Sequence, residues 1–336
     1  MKPFIQIIYT GGTLGMEPSD QGLVPARNLA QHFEQALNQA PDLKADLSHV
    51  QWSITSLPVL LDSANIQPQH WEALAKQCIA ITIDETKIDG IVIIHGTDTL
   101  AYTASALAYF LSDIKLPVII TGSQKPLYQT QNSLSDALDN LSGSLLIAGK
   151  TKAGVYVFFH DMLMPAARVV KKDAISFDGF ATPRLSENIT RTKPYALNWQ
   201  NQNRPWASCH VAIVYMMPGF KPAQLKAIIE TQPSAIILSL YGAGTLPDQD
   251  PELIETLTYA QAQNIILVGV SQCYIAKVDF SIYAAGNILH SLGVLNGKDL
   301  TLEAAYTKLM VLLRMGYTND DIKHLFITPL VGEMCT

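Results

Sequence analysis

A chain of 336 residues is longer than one hydrophobic core usually serves, so two domains are the expectation. Its 48% hydrophobic and 15% charged residues exclude a disordered or fibrous chain, and a net charge of -6 with one adjacent basic pair, Lys171-Lys172, argues against nucleic-acid binding. No stretch approaches the roughly eighteen apolar residues of a membrane helix, Met1-Lys2-Pro3 opens no secretory leader, and Cys78, Cys209, Cys273 and Cys335 show no paired spacing. A cytoplasmic protein with reduced thiols, no membrane partner, no metal and no cofactor is expected.

Short apolar runs bounded by turn residues read as strands in chain order: Phe4 to Tyr9, Gly90 to Ile94, Pro117 to Thr121, Leu145 to Ala148, Val155 to Phe159, Val211 to Met216, Ala235 to Leu240 and Ile265 to Val270. Most are continuous rather than alternating, the mark of strands covered on both faces. Helical patterns fall between them. After Thr99, Leu100, Ala104, Leu107 and Leu111 repeat at spacings of four, three and four, and further helices are expected near Ala223 to Glu230, Glu252 to Gln263 and Leu302 to Met315. Between Ser186 and Ser208 the pattern gives way to polar and proline-containing sequence. The predicted fold is α/β: two doubly wound domains with mostly parallel sheets, a larger N-terminal domain over 1–187, a linker over 188–209 and a smaller C-terminal domain over 210–336.

Two strands end in similar turns. Phe4 to Tyr9 runs into Thr10-Gly11-Gly12-Thr13, and Ile91 to Ile94 runs into His95-Gly96-Thr97-Asp98-Thr99. A hydroxyl at the carboxyl end of a buried strand, beside an unhindered backbone, is placed for acyl transfer at the mouth of an α/β sheet. For the first tetrapeptide a purely structural tight turn is an equal alternative; it lacks the lysine of a phosphate loop and the third glycine of a dinucleotide fingerprint. For the second, one of Thr97, Asp98 and Thr99 suffices to cap the following helix, and three polar side chains exceed that need. A threonine hydroxyl needs a base, and Lys171 and Lys172, after Val169-Val170, are both candidates that residue chemistry alone leaves open.

Taken together, Tyr9 to Met16, His95 to Leu107 and Gly122-Ser123-Gln124 resemble the bacterial-type L-asparaginases, and among them the cytoplasmic type I branch. Asp62-Ser63, Phe177 to Pro183, Tyr241 to Gly244 and Gln272-Cys273 followed by Lys277-Val278 carry the resemblance along the chain. It implies hydrolysis of L-asparagine to L-aspartate and ammonia by a homodimer or homotetramer. It casts Thr13 as primary nucleophile and Thr97, Asp98 and Lys171 as a second catalytic group, choosing Lys171 over Lys172 by its distance from Phe177. It also implies substrate contacts from Gly12, Asp62, Ser63, Gly96 and Ser123, and an effector site at Cys273. The sequence departs from the family pattern at Leu23, where a loop tyrosine is usual, at Thr245, where asparagine is usual, and in a shortened Lys125 to Asn132 segment. Two other readings share these residues: a sensor or inactive relative that binds an amino acid, and the asparaginase-like subunit of a tRNA-dependent amidotransferase.

Overall fold

The computed structural model describes residues 2–20, 22–26, 28–83, 88–128, 134–184, 195, 197 and 204–335. They form two compact units, Met1–Thr182 and Pro183–Thr336. Most of the linker expected over 188–209 lies outside the described residues.

In the first unit the chain runs β1 (Phe4–Tyr9), a hairpin of β2 (Met16–Ser19) and β3 (Gly22–Pro25), α1 (Leu29–Asn38), α2 (Pro41–Leu47) and β4 (Gln51–Ser56). It continues with α3 (Pro68–Ile83), β5 (Gly90–Ile94), α4 (Leu100–Phe110), β6 (Pro117–Thr121), α5 (Ala137–Ala148), β7 (Gly154–Phe159) and β8 (Met162–Pro165). A short ribbon of β9 (Val170–Lys171) and β10 (Phe180–Ala181) closes it. The main sheet has the order β4-β1-β5-β6-β7-β8 and is parallel except for the last pair. Ile91, Val92, Ile93 and Ile94 all have no exposed surface, as strands covered on both faces require. One face packs Ile5, Ile7, Val92, Ile94 and Ile119 against Phe33, Leu141 and Leu145.

Two departures from the sequence expectation have clear physical causes. Leu145 to Ala148 is the end of helix α5, where Leu141, Leu145 and Ala148 are buried at spacings of four and three. A four-residue apolar run satisfies either periodicity, and the helical partner positions upstream decide it. Strand β4 is the reverse case: it lies at the sheet edge, so Trp52 and Ile54 pack inward while Gln51, Ser56 and Thr55 stay exposed, and no continuous apolar run marks it.

The second unit holds β11 (Val211–Tyr215), α6 (Pro222–Glu230), β12 (Ala235–Leu240), α7 (Pro251–Ala262), β13 (Ile266–Ser271), α8 (Ala284–Ser291), β14 (Leu295–Asn296), α9 (Leu302–Arg314) and α10 (Asn319–Phe326). Its four strands are parallel in the order β11-β12-β13-β14, over a core that includes Leu238, Leu240, Leu257 and Leu267. Asp250 caps α7 by accepting from the Glu252 and Leu253 amides, and Thr301 caps α9 by accepting from Ala304. Within the α9 core lies a fully buried ion pair, Lys308 with Glu333 at 2.5 Å. Among the described residues no helix is long and apolar enough to cross a membrane.

Candidate active site

Strand order locates the site before any side chain is considered. From β1 the chain moves outward to β4, then crosses back to β5 on the other side and proceeds to β6 and β7. The direction of winding therefore reverses between β1 and β5, and crevices of open α/β sheets form at the carboxyl ends of such a pair. Tyr9 stands opposite Ile94 in the register, and the Thr10 amide donates to the Ile94 carbonyl at 3.1 Å. Both threonine turns leave the sheet at this point.

The turns pack backbone against backbone. Gly11 and Gly12 have φ of 118° and 90°, a region that suits glycine. A β-carbon on Gly12 would sit 2.5 Å from the Gly96 Cα and 2.8 Å from the His95 carbonyl carbon. One on Gly96 would sit 2.5 Å from the Ser63 Oγ, and one on Gly11 would meet the backbone of Leu61. Glycine at these positions thus joins three segments: the Thr13 turn, the Thr97 turn and the loop carrying Asp62 and Ser63. Thr13, half-buried, starts a 3-10 turn over Thr13–Gly15. Asp62 is exposed at the start of the turn Ser63–Asn65, where its Oδ1 accepts from the Ala64 amide at 3.1 Å, and Ser63 is buried. Thr99 occupies the N-cap position of α4, yet its hydroxyl donates to the Ser63 carbonyl at 2.7 Å. That bond secures the Asp62-Ser63 loop to the second turn and leaves Thr97 and Asp98 to other partners.

Those partners converge on Lys171. Its Nζ donates to the Thr97 Oγ1 at 2.9 Å and to the Asp98 Oδ1 at 2.7 Å, with Thr97 buried and the Asp98 side chain 64% exposed. Lys172, the residue after β9, pairs instead with Asp178 at 2.5 Å. The ribbon that holds Lys171 pairs it with Phe180, whose ring lies 4.8 Å from that of Phe159. Gln124, just past β6, steadies the loop that follows: its Nε2 donates to the Asp173 and Ser176 carbonyls, both at 3.1 Å. Asp136 in turn accepts from the Gln124 and Lys125 amides and from Asn140. Sequence reading assigns this duty to neither Gln124 nor Asp136, because turn-stabilising amides leave no periodic trace.

Ser123 is fully buried, and its hydroxyl donates to the Lys125 carbonyl. Cys273 is exposed in the second unit, where its carbonyl accepts from Arg184 and its amide donates to the Ser271 Oγ. Leu23, 48% exposed, stands on β3 opposite Pro18. Among the described residues no group of three or more His, Cys, Asp or Glu side chains is arranged to hold a metal ion.

Comparison with known proteins gives this chain a family. Residues 4–203 match the family model for the asparaginase N-terminal domain, and residues 210–326 match that for the glutaminase/asparaginase C-terminal domain. The chain belongs to the asparaginase family. It is 34% identical to L-asparaginase 1 of Escherichia coli K12, over 99% of this chain and 98% of that one. The crystal structure of L-asparaginase I from Vibrio cholerae O1 biovar eltor superposes with a TM-score of 0.83 at 32% identity, covering 100% of both chains. The L-asparaginase of Thermococcus kodakarensis is 31% identical over 98% of this chain and 98% of its own length. The fold of the chain is thus the two-domain asparaginase fold, and its reaction class is amide hydrolysis.

In this asparaginase-family site His95 is a scaffold group. It is completely buried, its Nδ1 lies 2.7 Å from the Gly96 carbonyl and its Nε2 3.0 Å from the Thr103 hydroxyl, which assigns a neutral ring with the proton on Nδ1. Burial lowers its pKa to about 4, against the weaker opposing effect of the Gly96 carbonyl. The unfolded chain takes up this proton near pH 6.5 and the native state only near pH 4. The contribution to stability is therefore full above pH 6.5 and lost as pH falls towards 4. Between about pH 7 and 4 the wild type is expected to lose up to about 3 kcal/mol more unfolding free energy than His95→Gln, as read by urea titration at each pH.

Proposed function

We propose that the chain hydrolyses L-asparagine to L-aspartate and ammonia. The observation that carries this reading is the Lys171 Nζ bonded to both Thr97 and Asp98, beside a Thr13 turn whose Gly12 packs on Gly96. The Thr13 hydroxyl oxygen attacks the side-chain amide carbon; its proton passes to the departing nitrogen, the C–N bond breaks and ammonia leaves an ester on Thr13. Lys171, taking part as the neutral amine, then draws a proton from water through the Thr97 hydroxyl. The hydroxide adds to the ester, the bond to the Thr13 oxygen breaks, and that oxygen recovers a proton from the lysine as aspartate is released. The anionic tetrahedral oxygen of each step is served by backbone N–H groups of the two turns, each such donor contributing about 3 kcal/mol in comparable sites.

Charge at the rim suits the substrate backbone. Asp62 and Asp98 present exposed carboxylates for an α-ammonium group, and the Ser63 hydroxyl, held beside Gly96, serves an α-carboxylate. Purified full-length protein is expected to release ammonia and aspartate in equal amounts from L-asparagine, followed by coupled ammonia detection and amino-acid chromatography. Binding of asparagine without ammonia release would support the sensor reading and overturn this one. The reading also has the protein acting as a homodimer or homotetramer in the cytoplasm, supported by its resemblance to type I relatives.

A further inference from the structure

Helix α4 begins at Thr99 with its side-chain cap unused. A threonine at this position ordinarily accepts from an amide of the first turn, as Thr301 does from Ala304 and Thr318 from Asp321 in the second unit. Thr99 makes no such bond. Its hydroxyl acts instead as a donor to the Ser63 carbonyl at 2.7 Å, although that carbonyl already accepts from the Ile66 amide at 3.1 Å. A local rule broken without local gain marks a position kept for another purpose.

What the bond fixes is the loop from Leu57 to Ser63. Its near end is tied to the first threonine turn, where Leu57 donates to the Tyr9 carbonyl and Leu61 to the Thr10 carbonyl, both at 2.9 Å. Its far end is tied by Thr99 to the second turn, two residues beyond Thr97, and a β-carbon on Gly96 would meet the Ser63 Oγ there. Asp62 and Ser63 stand at that far end. The anchors for the substrate α-ammonium and α-carboxylate groups are thus held at a set separation from the threonines that act on the amide carbon. L-Asparagine and L-glutamine carry the same α groups and the same amide, and differ by one methylene in the span between them. A fixed separation tells them apart, and one methylene typically decides about 10- to 200-fold in kcat/KM.

We infer that Thr99 is a specificity-determining positioning residue: its bond to the Ser63 carbonyl sets the distance from the α-group anchors to the reacting threonines and so favours asparagine over its longer homologue. The inference rests on the reading of the site as an asparagine hydrolase. Thr99 acts through Ser63 and moves no proton itself. Without its hydroxyl the Ser63 carbonyl keeps the Ile66 donor, so the loop stays folded and gains play towards the longer substrate.

Thr99→Val, similar in shape but without a donor, and Thr99→Ser, which keeps the hydroxyl, test this in the full-length protein with L-asparagine and L-glutamine. In Thr99→Val the KM for L-asparagine is expected to rise about five-fold, the worth of one net hydrogen bond, with kcat within about two-fold of wild type. The kcat/KM for L-glutamine should change less, so that the preference for L-asparagine narrows about five-fold. Thr99→Ser should keep the wild-type preference, and the urea midpoints of all three proteins should nearly coincide, because no cap bond is lost. A wild type without the preference, an equal loss on both substrates in Thr99→Val, a fall in its kcat at constant KM, a clearly lower urea midpoint, or failure of Thr99→Ser to restore the preference would each overturn the inference. If wild type releases no ammonia, the hydrolytic reading fails by itself, and calorimetry with the two amino acids decides on Thr99. A binding preference for L-asparagine that Thr99→Val loses then upholds its role, and equal or absent binding overturns it.

Discussion

Lys171→Ala is expected to lower kcat on L-asparagine by about two to four orders of magnitude, the range typical of losing a positioned proton-transfer group. Lys172→Ala should stay close to wild type, since its ammonium pairs with Asp178 and not with Thr97 or Asp98. The adjacent lysines form an internal control: they share a charge and a neighbourhood, and differ in the groups they bond. Lys171→Arg separates two roles. It keeps a cation for Asp98, but a guanidinium does not give up its proton, so it should remain nearly as slow as Lys171→Ala if the amine acts as a base. Recovery of most of the activity by arginine would instead show that the charge alone matters. Thr97→Val combined with Lys171→Ala should be little worse than either change alone, because the two act as one unit on the same proton. Steady-state ammonia release at fixed pH, with circular dichroism to confirm the fold, reads all of these variants. A Lys171→Ala protein as fast as wild type would remove the lysine from the mechanism.

How far this site can be read from sequence depends on which interactions leave a pattern. Strands β1, β5 and β6 are legible because burial on both faces demands continuous apolar runs, and the two threonine turns follow from their glycines. The winding reversal is not legible. It depends on β4 lying outside β1, and β4 is an alternating edge strand with only Trp52 and Ile54 turned inward. Residue chemistry also leaves Lys171 and Lys172 equivalent, and the family resemblance is needed to choose between them. In the folded chain the two lysines take different partners, Lys171 bonding Thr97 and Lys172 bonding Asp178. The roles of Gln124 and Asp136 stay hidden because they act by bonding backbone amides and carbonyls, a duty open to any loop residue of suitable length.

The largest stability effect is expected far from that site in the chain, in the second unit. Lys308 and Glu333 have no exposed side-chain surface, and their 2.5 Å contact is embedded in further bonds. Lys308 Nζ also donates to the Phe326 and Thr328 carbonyls at 2.9 and 2.7 Å, while Glu333 accepts from the Leu330 and Val331 amides. The pair thus joins α9, the end of α10 and the final turn, closing the last residues over the helix. Burial pushes the Lys308 pKa down, and Glu333 opposes that shift. Lys308→Met fills similar space but leaves a carboxylate without its cation and two carbonyls without a donor. Breaking a buried pair from one side typically costs about 3 to 5 kcal/mol, and that is the expected loss in unfolding free energy by urea titration. Lys308→Met combined with Glu333→Gln should recover part of the loss, because no unpaired charge then remains. If the single variant unfolds at the wild-type urea midpoint, the pair contributes nothing to holding the C-terminal segment. If the double variant is as unstable as the sum of two single changes, the bonds from Glu333 to the turn amides, and not the ion pair, are what secure it.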